Sequence, residues 1–291
     1  MGMMYDTTVA VLENRPLTGG HFLLSLHAPR QAQAARPGQF AMLHLLGRSD
    51  VLLRRPMSTY DVKTAAGKGK RRRRKSFEII QFLYKVVGRG TRVMSELEAG
   101  DSIGLLGPLG HGFFEEEYLD RARQTDETLL VAGGIGIAAL LMPARRVAEN
   151  GLRGRLFFGA RSRAELVGVE DFRPWVKAVV LATEDGTRGR RGFVTQPLAT
   201  YLEKNSSKKY LLMACGPTPM LQAVVKLAKR YDHPCLVSME NRMGCGLGVC
   251  LGCSIRVRGE GHEAYQRVCT EGPVFWADKL VWEDERVRKA R

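Results

Sequence analysis

The sequence contains no apolar run long enough to cross a membrane. A spanning helix needs about 20 consecutive apolar residues, and no stretch of this 291-residue chain approaches that length. The N-terminus is polar from Asp6 onward and has no secretory signal pattern, so we expect a cytoplasmic protein with reduced thiols. No Ser/His/Asp or paired-carboxylate constellation occurs in a supporting context.

Aromatic residues make up 8% of the chain, but the most basic segment has none. Between Lys63 and Lys75 the chain has eight basic residues and no acidic ones, which is about half of its net charge of +15. Proteins that bind single-stranded nucleic acid usually combine cations with stacking aromatics. A solvated hairpin insertion is therefore the plainer interpretation, and a docking patch for an acidic partner or RNA is the other.

Cysteine is limited to six residues, yet four of them lie within one short C-terminal stretch: Cys245, Cys250, Cys253 and Cys269. The first three have the spacing C-x4-C-x2-C in a glycine-rich loop. This is the plant-type spacing for a 2Fe–2S cluster, whose fourth thiolate comes from elsewhere in the chain. Glycines let the backbone curl around the cluster and direct N–H groups at its sulfurs.

Two other interpretations of these cysteines stay open. A structural zinc site usually pairs two short knuckles, but here Cys269 stands alone and His262 has no companion. Disulfides or free thiols are the other possibility, although a chain of this length does not need covalent staples.

The first part of the chain shows short strand-like runs separated by Gly and Pro, which predict a small antiparallel barrel. One helix interrupts it, at Arg92–Leu97. The predicted strands are Thr8–Glu13, His21–His27, Gln39–Leu45, Met57–Asp61, Phe77–Val87 and Ser102–Leu106.

From about Thr128 the pattern changes to alternating strands and helices, which predicts a parallel sheet covered on both faces. The cysteine segment and a charged tail from Glu283 follow this part. The predicted strands are Thr128–Ala132, Arg155–Gly159, Ala178–Thr183, Tyr210–Ala214 and Cys235–Met239. The first predicted helix follows the glycines at 133–136 and ends at about Asn150. The other predicted helices are Ala164–Phe172, Val194–Leu202 and Thr218–Arg230.

Two motifs fall at the ends of predicted parallel strands. Gly133, Gly134 and Gly136 connect a strand to a helix, where exposed N–H groups favour a pyrophosphate, although a plain tight turn has the same sequence. Cys215-Gly216-Pro217 ends the fourth strand and would border the crevice where open sheets bind ligands. A buried cysteine before a turn is the alternative interpretation.

A third motif, Arg54-Arg55-Pro56-Met57-Ser58, lies in the barrel region. Arg55 can pair with a phosphate through two hydrogen bonds, and Ser58 can bond a ring nitrogen or a phosphate. An exposed basic strand end is the alternative.

Together these motifs resemble the ferredoxin-reductase superfamily and, within it, the electron-transfer subunits of class 1B dihydroorotate dehydrogenase. The resemblance runs from about Thr7 to Phe275, and its most specific part is the cysteine loop with the segment 267–275. Met57 replaces an aromatic residue of more distant reductases, and Ala139 replaces a frequent proline.

The resemblance implies FAD in the barrel, a nicotinamide dinucleotide against the flavin, and a 2Fe–2S cluster held by the four cysteines. It implies that Glu184-Asp185-Gly186 lies near the nucleotide. The implied FAD residues are Arg55, Pro56, Met57, Ser58, Leu83, Tyr84, Lys85, Gly90 and Thr91, and the implied NAD residues are Gly133, Gly134, Gly136, Cys215, Gly216 and Pro217.

The resemblance also implies an FMN-containing catalytic partner, a heterotetramer of two subunits of each kind, and a role in pyrimidine biosynthesis. The expected domains are a FAD-binding barrel over 1–122, an NAD-binding α/β domain over 123–239 and a cluster domain over 240–291. NAD and NADP both stay open, because Arg161-Ser162-Arg163 follows the second strand of the nucleotide domain.

Two rival functions remain. Small subunits of ferredoxin:NADP reductase or sulfide dehydrogenase resemble all three stretches of the chain. From a different class, a basic, zinc-containing nucleic-acid-binding protein would account for the arginine run and the cysteines, but not for the alternating strands and helices.

Overall fold

The computed structural model describes residues 3–64, 78–113, 116–259 and 263–282. Most of the basic segment, His262 and the tail from Glu283 therefore lie outside the described residues. Among the described helices, none has both the length and the apolar character needed to cross a membrane.

The first half is one curled antiparallel sheet of seven strands, the half-barrel predicted from the regularly spaced strands. Its spatial order is β4-β3-β7-β1-β2-β6-β5. Apolar side chains of alternate residues fill its inside, including Leu24, Leu43 and Phe82. The strands are β1 Tyr5–Pro16, β2 His21–His27, β3 Phe40–His44, β4 Arg55–Ser58, β5 Asp61–Lys63, β6 Ile79–Lys85 and β7 Ser102–Leu109; the helices are α1 Pro29–Ala34 and α2 Arg89–Ser95.

The second half is a parallel sheet with helices on its two faces, as the alternating pattern predicts. Its central strands β8 and β12 are buried along their whole length, because both faces are covered. The helices are α3 Glu116–Arg123, α4 Leu141–Glu149, α5 Val169–Phe172, α6 Thr195–Lys204 and α7 Thr218–Arg230; the strands are β8 Glu127–Gly133, β9 Gly154–Ala160, β10 Ala178–Thr183, β11 Arg190–Arg191, β12 Tyr210–Cys215 and β13 Cys235–Ser238.

The C-terminal segment forms a hairpin, β14 Ser254–Arg258 with β15 Glu263–Arg267, and then returns to the parallel sheet. Its last strand, β16 Val274–Trp276, pairs antiparallel with β13. The backbone N–H of Met239 also bonds to Pro273 O at 2.8 Å. The cysteine segment is therefore attached to the nucleotide-domain sheet at both of its ends.

Three of the predicted elements were wrong in detail. The single strand over 57–61 is split into β4 and β5. The single helix over 164–172 is instead a 3-10 turn at Arg163–Glu165 and the short α5, because Gly168 between them has φ 73°. The segment after Gly133 starts with a 3-10 turn, Gly134–Ala139, before α4 begins.

Polar contacts join the half-barrel to the parallel sheet. Tyr60 donates to Asp171 at 2.5 Å, and Lys85 pairs with Glu165 at 2.6 Å. Thr18 donates to the carbonyl of Ala164 at 2.8 Å. These contacts fix the relative position of the two halves and so the shape of the crevice between them.

Candidate cofactor sites

The loop over 243–253 brings the four cysteine thiols into two pairs. The Sγ atoms of Cys253 and Cys269 lie 3.2 Å apart, and both residues are buried. The thiols of Cys245 and Cys250 form the second pair through a side-chain hydrogen bond. Backbone N–H groups of Leu247 and Cys250 point at the Cys245 sulfur from 3.3 and 3.5 Å.

This arrangement fits a two-iron cluster. Within the described ranges, no three or more His, Cys, Asp or Glu side chains form a group that could hold a metal ion. Two pairs of thiols supply two ligands to each of two irons, as in a 2Fe–2S cluster with four cysteines. N–H groups directed at sulfur also stabilise the negative charge that such a cluster carries.

The thiols differ in acidity. Burial raises the pKa of Cys245, but the N–H groups of Cys250 and Leu247 have the opposite effect, and the resulting pKa is lowered to about 6. Burial, with the neighbouring Cys253, raises the pKa of Cys269 to about 12. Because thiolates are the metal ligands, cluster binding requires each of the four cysteines to be deprotonated.

Two glycines let the cysteine loop lie close to its neighbours. Gly246 has φ 74°, and a Cβ there would lie 2.6 Å from Cγ of Met42. Gly248 has φ 80°, and a Cβ would lie 2.8 Å from the Thr270 methyl group. Met42 is on β3 and pairs with Pro56 on β4. The loop therefore contacts β3, which lies roughly 5 Å from β4 in the sheet.

The structure brings Arg55 together with the start of α2. The Arg55 guanidinium lies against Gly90 so closely that a Cβ on Gly90 would overlap its Nε. Its Nη1 donates to the carbonyl of Leu53 at 3.0 Å. Thr91 Oγ1 accepts from the N–H groups of Val87 and Gly88 at 2.9 and 3.2 Å. A cation and a fixed turn thus meet where the sequence predicts a phosphate of FAD.

Among the other predicted flavin residues, Pro56, Met57 and Ser58 lie on β4 with Arg55, whereas Leu83, Tyr84 and Lys85 lie on β6. Leu83 and Tyr84 are buried, and the Tyr84 hydroxyl donates to Asn14 Oδ1 at 3.1 Å. Lys85 is paired with Glu165. The pairing of β5 with β6 ends at Gln81. Within the described part of the chain, no strand pairs with β6 beyond Gln81 on that side, so its main chain is what a flavin ring can contact.

The two predicted nucleotide motifs meet at the C-terminal ends of β8 and β12. A Cβ on Gly136 would overlap the carbonyl oxygen of Cys215, and a Cβ on Gly133 would lie 3.0 Å from Pro217 Cδ. The α-helix begins only at Leu141, so the 3-10 turn, and not the end of the α4 dipole, faces this edge.

Cys215 is a buried residue, with 1% of its surface exposed, and burial raises its pKa above the usual range. Its thiol is therefore not poised to act as a nucleophile or a metal ligand, which agrees with the buried-cysteine interpretation of that side chain. Its carbonyl still borders the crevice beside Gly136.

Glu240 is a residue that the sequence reasoning missed. It follows β13 and lies close enough to Cys215 to affect its pKa. Its side chain is solvent-accessible, yet surrounding protein removes enough water to raise the pKa of its carboxyl. Its position after β13 could have indicated it, because β13 pairs parallel with β12, which ends at Cys215. Ligands bind outside the carboxyl ends of parallel strands.

A cavity of about 960 Å³ separates the half-barrel from the parallel sheet. Arg163 donates its backbone N–H to Thr187 Oγ1 at 2.8 Å, and Thr187 is held in turn by Asp185 at 2.7 Å. This turn contains the predicted segment Glu184-Asp185-Gly186. The cavity lining includes Thr18, Tyr60, Leu83, Ser162, Arg163 and Arg188.

Two family models match the chain. Residues 240–281 match the iron–sulfur cluster binding domain of dihydroorotate dehydrogenase B. Residues 130–226 match the oxidoreductase NAD-binding domain. The zinc and disulfide interpretations of the cysteines therefore give way to an iron–sulfur site.

Curated relatives match the chain over almost its whole length. The dihydroorotate dehydrogenase B (NAD(+)) electron transfer subunit of Caldanaerobacter subterraneus subsp. tengcongensis is 32% identical, covering 96% of this chain and 100% of the relative. The protein of the same name from Bacillus velezensis is 36% identical with the same coverage, 96% and 100%.

Among solved structures, an NADH-dependent reduced ferredoxin-NADP oxidoreductase is similar, with a TM-score of 0.78 and 26% identity over 97% of this chain and 91% of that one. The shared fold is that of the ferredoxin reductases. It confirms the half-barrel, the nucleotide domain and the cluster domain predicted from the sequence.

Proposed function

This chain belongs to the family of dihydroorotate dehydrogenase B electron transfer subunits, and from this membership we propose that it connects a catalytic partner to NAD through a 2Fe–2S cluster and FAD. The observation that carries the proposal is the arrangement of the cysteine loop. Its four thiols form two pairs, and the loop contacts Met42 on β3, the strand that pairs with β4.

The proposed ligands of the cluster are Cys245, Cys250, Cys253 and Cys269. For FAD, the supporting contact is that of Arg55 with Gly90, which leaves the guanidinium fixed at the start of α2. The proposed flavin contacts are the segment 55–58, the main chain of 83–85, Gly90 and Thr91. The proposed NAD contacts are Gly133, Gly134, Gly136, Cys215, Gly216 and Pro217.

Bound flavin exchanges two electrons with a nicotinamide as a hydride and single electrons with an iron–sulfur cluster. The protein's own residues supply position and shielding. Arg55 neutralises phosphate charge, and the glycines at the ends of β8 and β12 allow the nucleotide to approach the backbone. Tyr60, Lys85 and Thr18 hold the two halves at a fixed separation.

We propose that the catalytic partner contains FMN, that two subunits of each kind assemble, and that the complex works in the cytoplasm in pyrimidine biosynthesis. The cysteine loop exposes apolar side chains that suit such a partner: Leu247 at 43%, Val249 at 80% and Leu251 at 60%. Apolar residues on a surface loop that also carries redox ligands favour docking there.

We propose domain boundaries at 122 and 239, as the sequence indicates. The strand β16 is an exception within this division, because it lies in the cluster segment but pairs with β13.

A second candidate is the small subunit of a ferredoxin:NADP reductase. The supporting observation is the structural similarity to the NADH-dependent ferredoxin-NADP oxidoreductase. The curated electron transfer subunits are more similar, at 32% and 36% identity, so we rank that function first. Reduction of NAD by dihydroorotate in the purified complex distinguishes the two, and the same assay with NADP resolves the choice of nucleotide.

The test of the relay is Cys250→Ser in the complex with the partner subunit. Losing one thiolate removes the cluster, so dihydroorotate-dependent NAD reduction should fall at least a hundredfold. NADH oxidation by an artificial dye, which takes electrons from FAD, should keep most of its rate.

Cys235→Ser is the matched control, because Cys235 is a buried cysteine on β13 outside the cysteine loop. It should leave both activities within about twofold. Equal loss of both activities in Cys250→Ser, with FAD still bound, would contradict the separate roles of FAD and cluster.

A further inference from the structure

Arg267, at the end of β15, forms a fixed connection between the hairpin and the cysteine loop. Its backbone N–H and its Nε donate to Glu271 Oε2 at 2.6 and 3.0 Å, and its Nη2 donates to the other carboxylate oxygen. Its Nη1 donates to the carbonyl of Gly248 at 2.9 Å. A guanidinium held by both oxygens of a carboxylate has little freedom left.

The bond to Gly248 orients the peptide group between Gly248 and Val249. Because a trans peptide is planar, its N–H points away from its carbonyl. Arg267 holds the carbonyl on one side, so the Val249 N–H is directed to the other side. The residues on either side of this peptide, Leu247 and Cys250, direct their N–H groups at the Cys245 sulfur from 3.3 and 3.5 Å. One side chain thus fixes the turn that supplies N–H donors to this sulfur.

The turn packs closely against its neighbours at Gly248. A Cβ at Gly248 would lie 2.8 Å from the Thr270 methyl group and 3.1 Å from Nη1 of Arg267. The Arg267 guanidinium is also close enough to Cys253 and Cys269 to interact with their charges. It therefore places a cation beside the more buried pair of thiols.

Hydrogen bonds to the sulfurs and nearby charge both set the reduction potential of an iron–sulfur cluster. We propose that Arg267 is a positioning residue that raises the reduction potential of the cluster by fixing the 248–249 peptide with its fork of N–H donors. This inference rests on the proposed function, because it requires the cluster to be bound.

The experiment is an anaerobic redox titration of the purified holoprotein, followed by the electron paramagnetic resonance signal of the reduced cluster. In Arg267→Gln we expect the equilibrium constant for accepting one electron to fall about tenfold, a shift of roughly 59 mV to more negative potential. In Arg267→Lys, which keeps the charge but lacks the fork, we expect a smaller shift in the same direction.

Arg258→Gln is the matched control. Arg258 lies on β14 at the opposite end of the hairpin, four residues from Ser254, which pairs with Arg267. At about 3.4 Å per residue, it is roughly 14 Å farther along, beyond the screening length of physiological salt. Removing its charge should leave the potential unchanged.

An unchanged potential in Arg267→Gln, with wild-type iron content, overturns the proposal. If Arg267→Gln does not assemble the cluster, the reduction potential of Arg267→Lys is the test. A wild-type potential in Arg267→Lys then overturns the proposal. Absence of iron from the wild-type protein would instead refute the proposed function, so the two failures are distinguishable.

Discussion

Single residues at the proposed flavin site depend on one another more than the sequence indicates. Arg55 and Gly90 are 35 positions apart, yet the absence of a side chain at Gly90 is what allows the guanidinium to lie where it does. The motif at 54–58 identified Arg55 as a candidate phosphate ligand but did not indicate Gly90. Only the resemblance implied that Gly90 contacts FAD. The contact between a side chain and a distant glycine is part of the tertiary structure, and the spacing of residues in a motif does not predict it.

Gly90→Ala tests this dependence. The new methyl group would displace the guanidinium and weaken a charge-assisted hydrogen bond, which contributes about 1.5–3 kcal/mol. We expect the dissociation constant of FAD to rise by roughly one to two orders of magnitude, measured by titrating the deflavinated protein with FAD.

Gly88→Ala is the control for this variant. Gly88 has an extended backbone, and a Cβ there meets nothing within 4 Å. Its FAD affinity should stay close to that of the unchanged protein. If Gly90→Ala binds FAD as tightly as Gly88→Ala does, Arg55 is not a phosphate ligand.

At the scale of elements, the helix α4 connects the two halves of the molecule through Arg145. Arg145 donates to Asp61 on β5 at 2.6 Å, and the two side chains are only 20% and 11% exposed. On the same helix, Arg146 pairs with Glu149 at 3.8 Å, with both side chains about half exposed. Neighbouring arginines thus have very different surroundings.

Arg145→Met should lower the free energy of unfolding by about 3 kcal/mol, because it leaves the Asp61 carboxylate buried without its cation. Arg146→Met should lower it by less than about 0.5 kcal/mol, as expected for an exposed pair. Urea unfolding followed by circular dichroism measures both. Equal effects in the two variants would mean that the contact between the halves contributes nothing to stability.

The sequence predicted most elements because their patterns are local. The strand His21–His27 and the helix Thr218–Arg230 match the structure end to end. The helix α1 was missed, although Pro29 at its first turn is a recognised start signal. The break at Gly168 was missed although glycine is a local signal for one, since its φ of 73° cannot continue a helix.

At the scale of the whole molecule, the C-terminal segment contacts both halves of the fold. The cysteine loop contacts Met42 of the half-barrel, whereas the strand β16 completes the edge of the parallel sheet. The sequence indicated three consecutive stretches but not this return, because an edge strand of three residues has no periodicity of its own. The proposed cluster ligands thereby lie next to the half-barrel, which carries the proposed flavin contacts.

The most direct test is the electron paramagnetic resonance spectrum of the anaerobically purified chain after NADH is added, together with its iron, sulfide and flavin content. The account predicts about two irons, two sulfides and one FAD per chain, and a reduced-cluster signal that appears with NADH. Stoichiometric zinc, or a cluster that NADH does not reduce although FAD is bound, would contradict it.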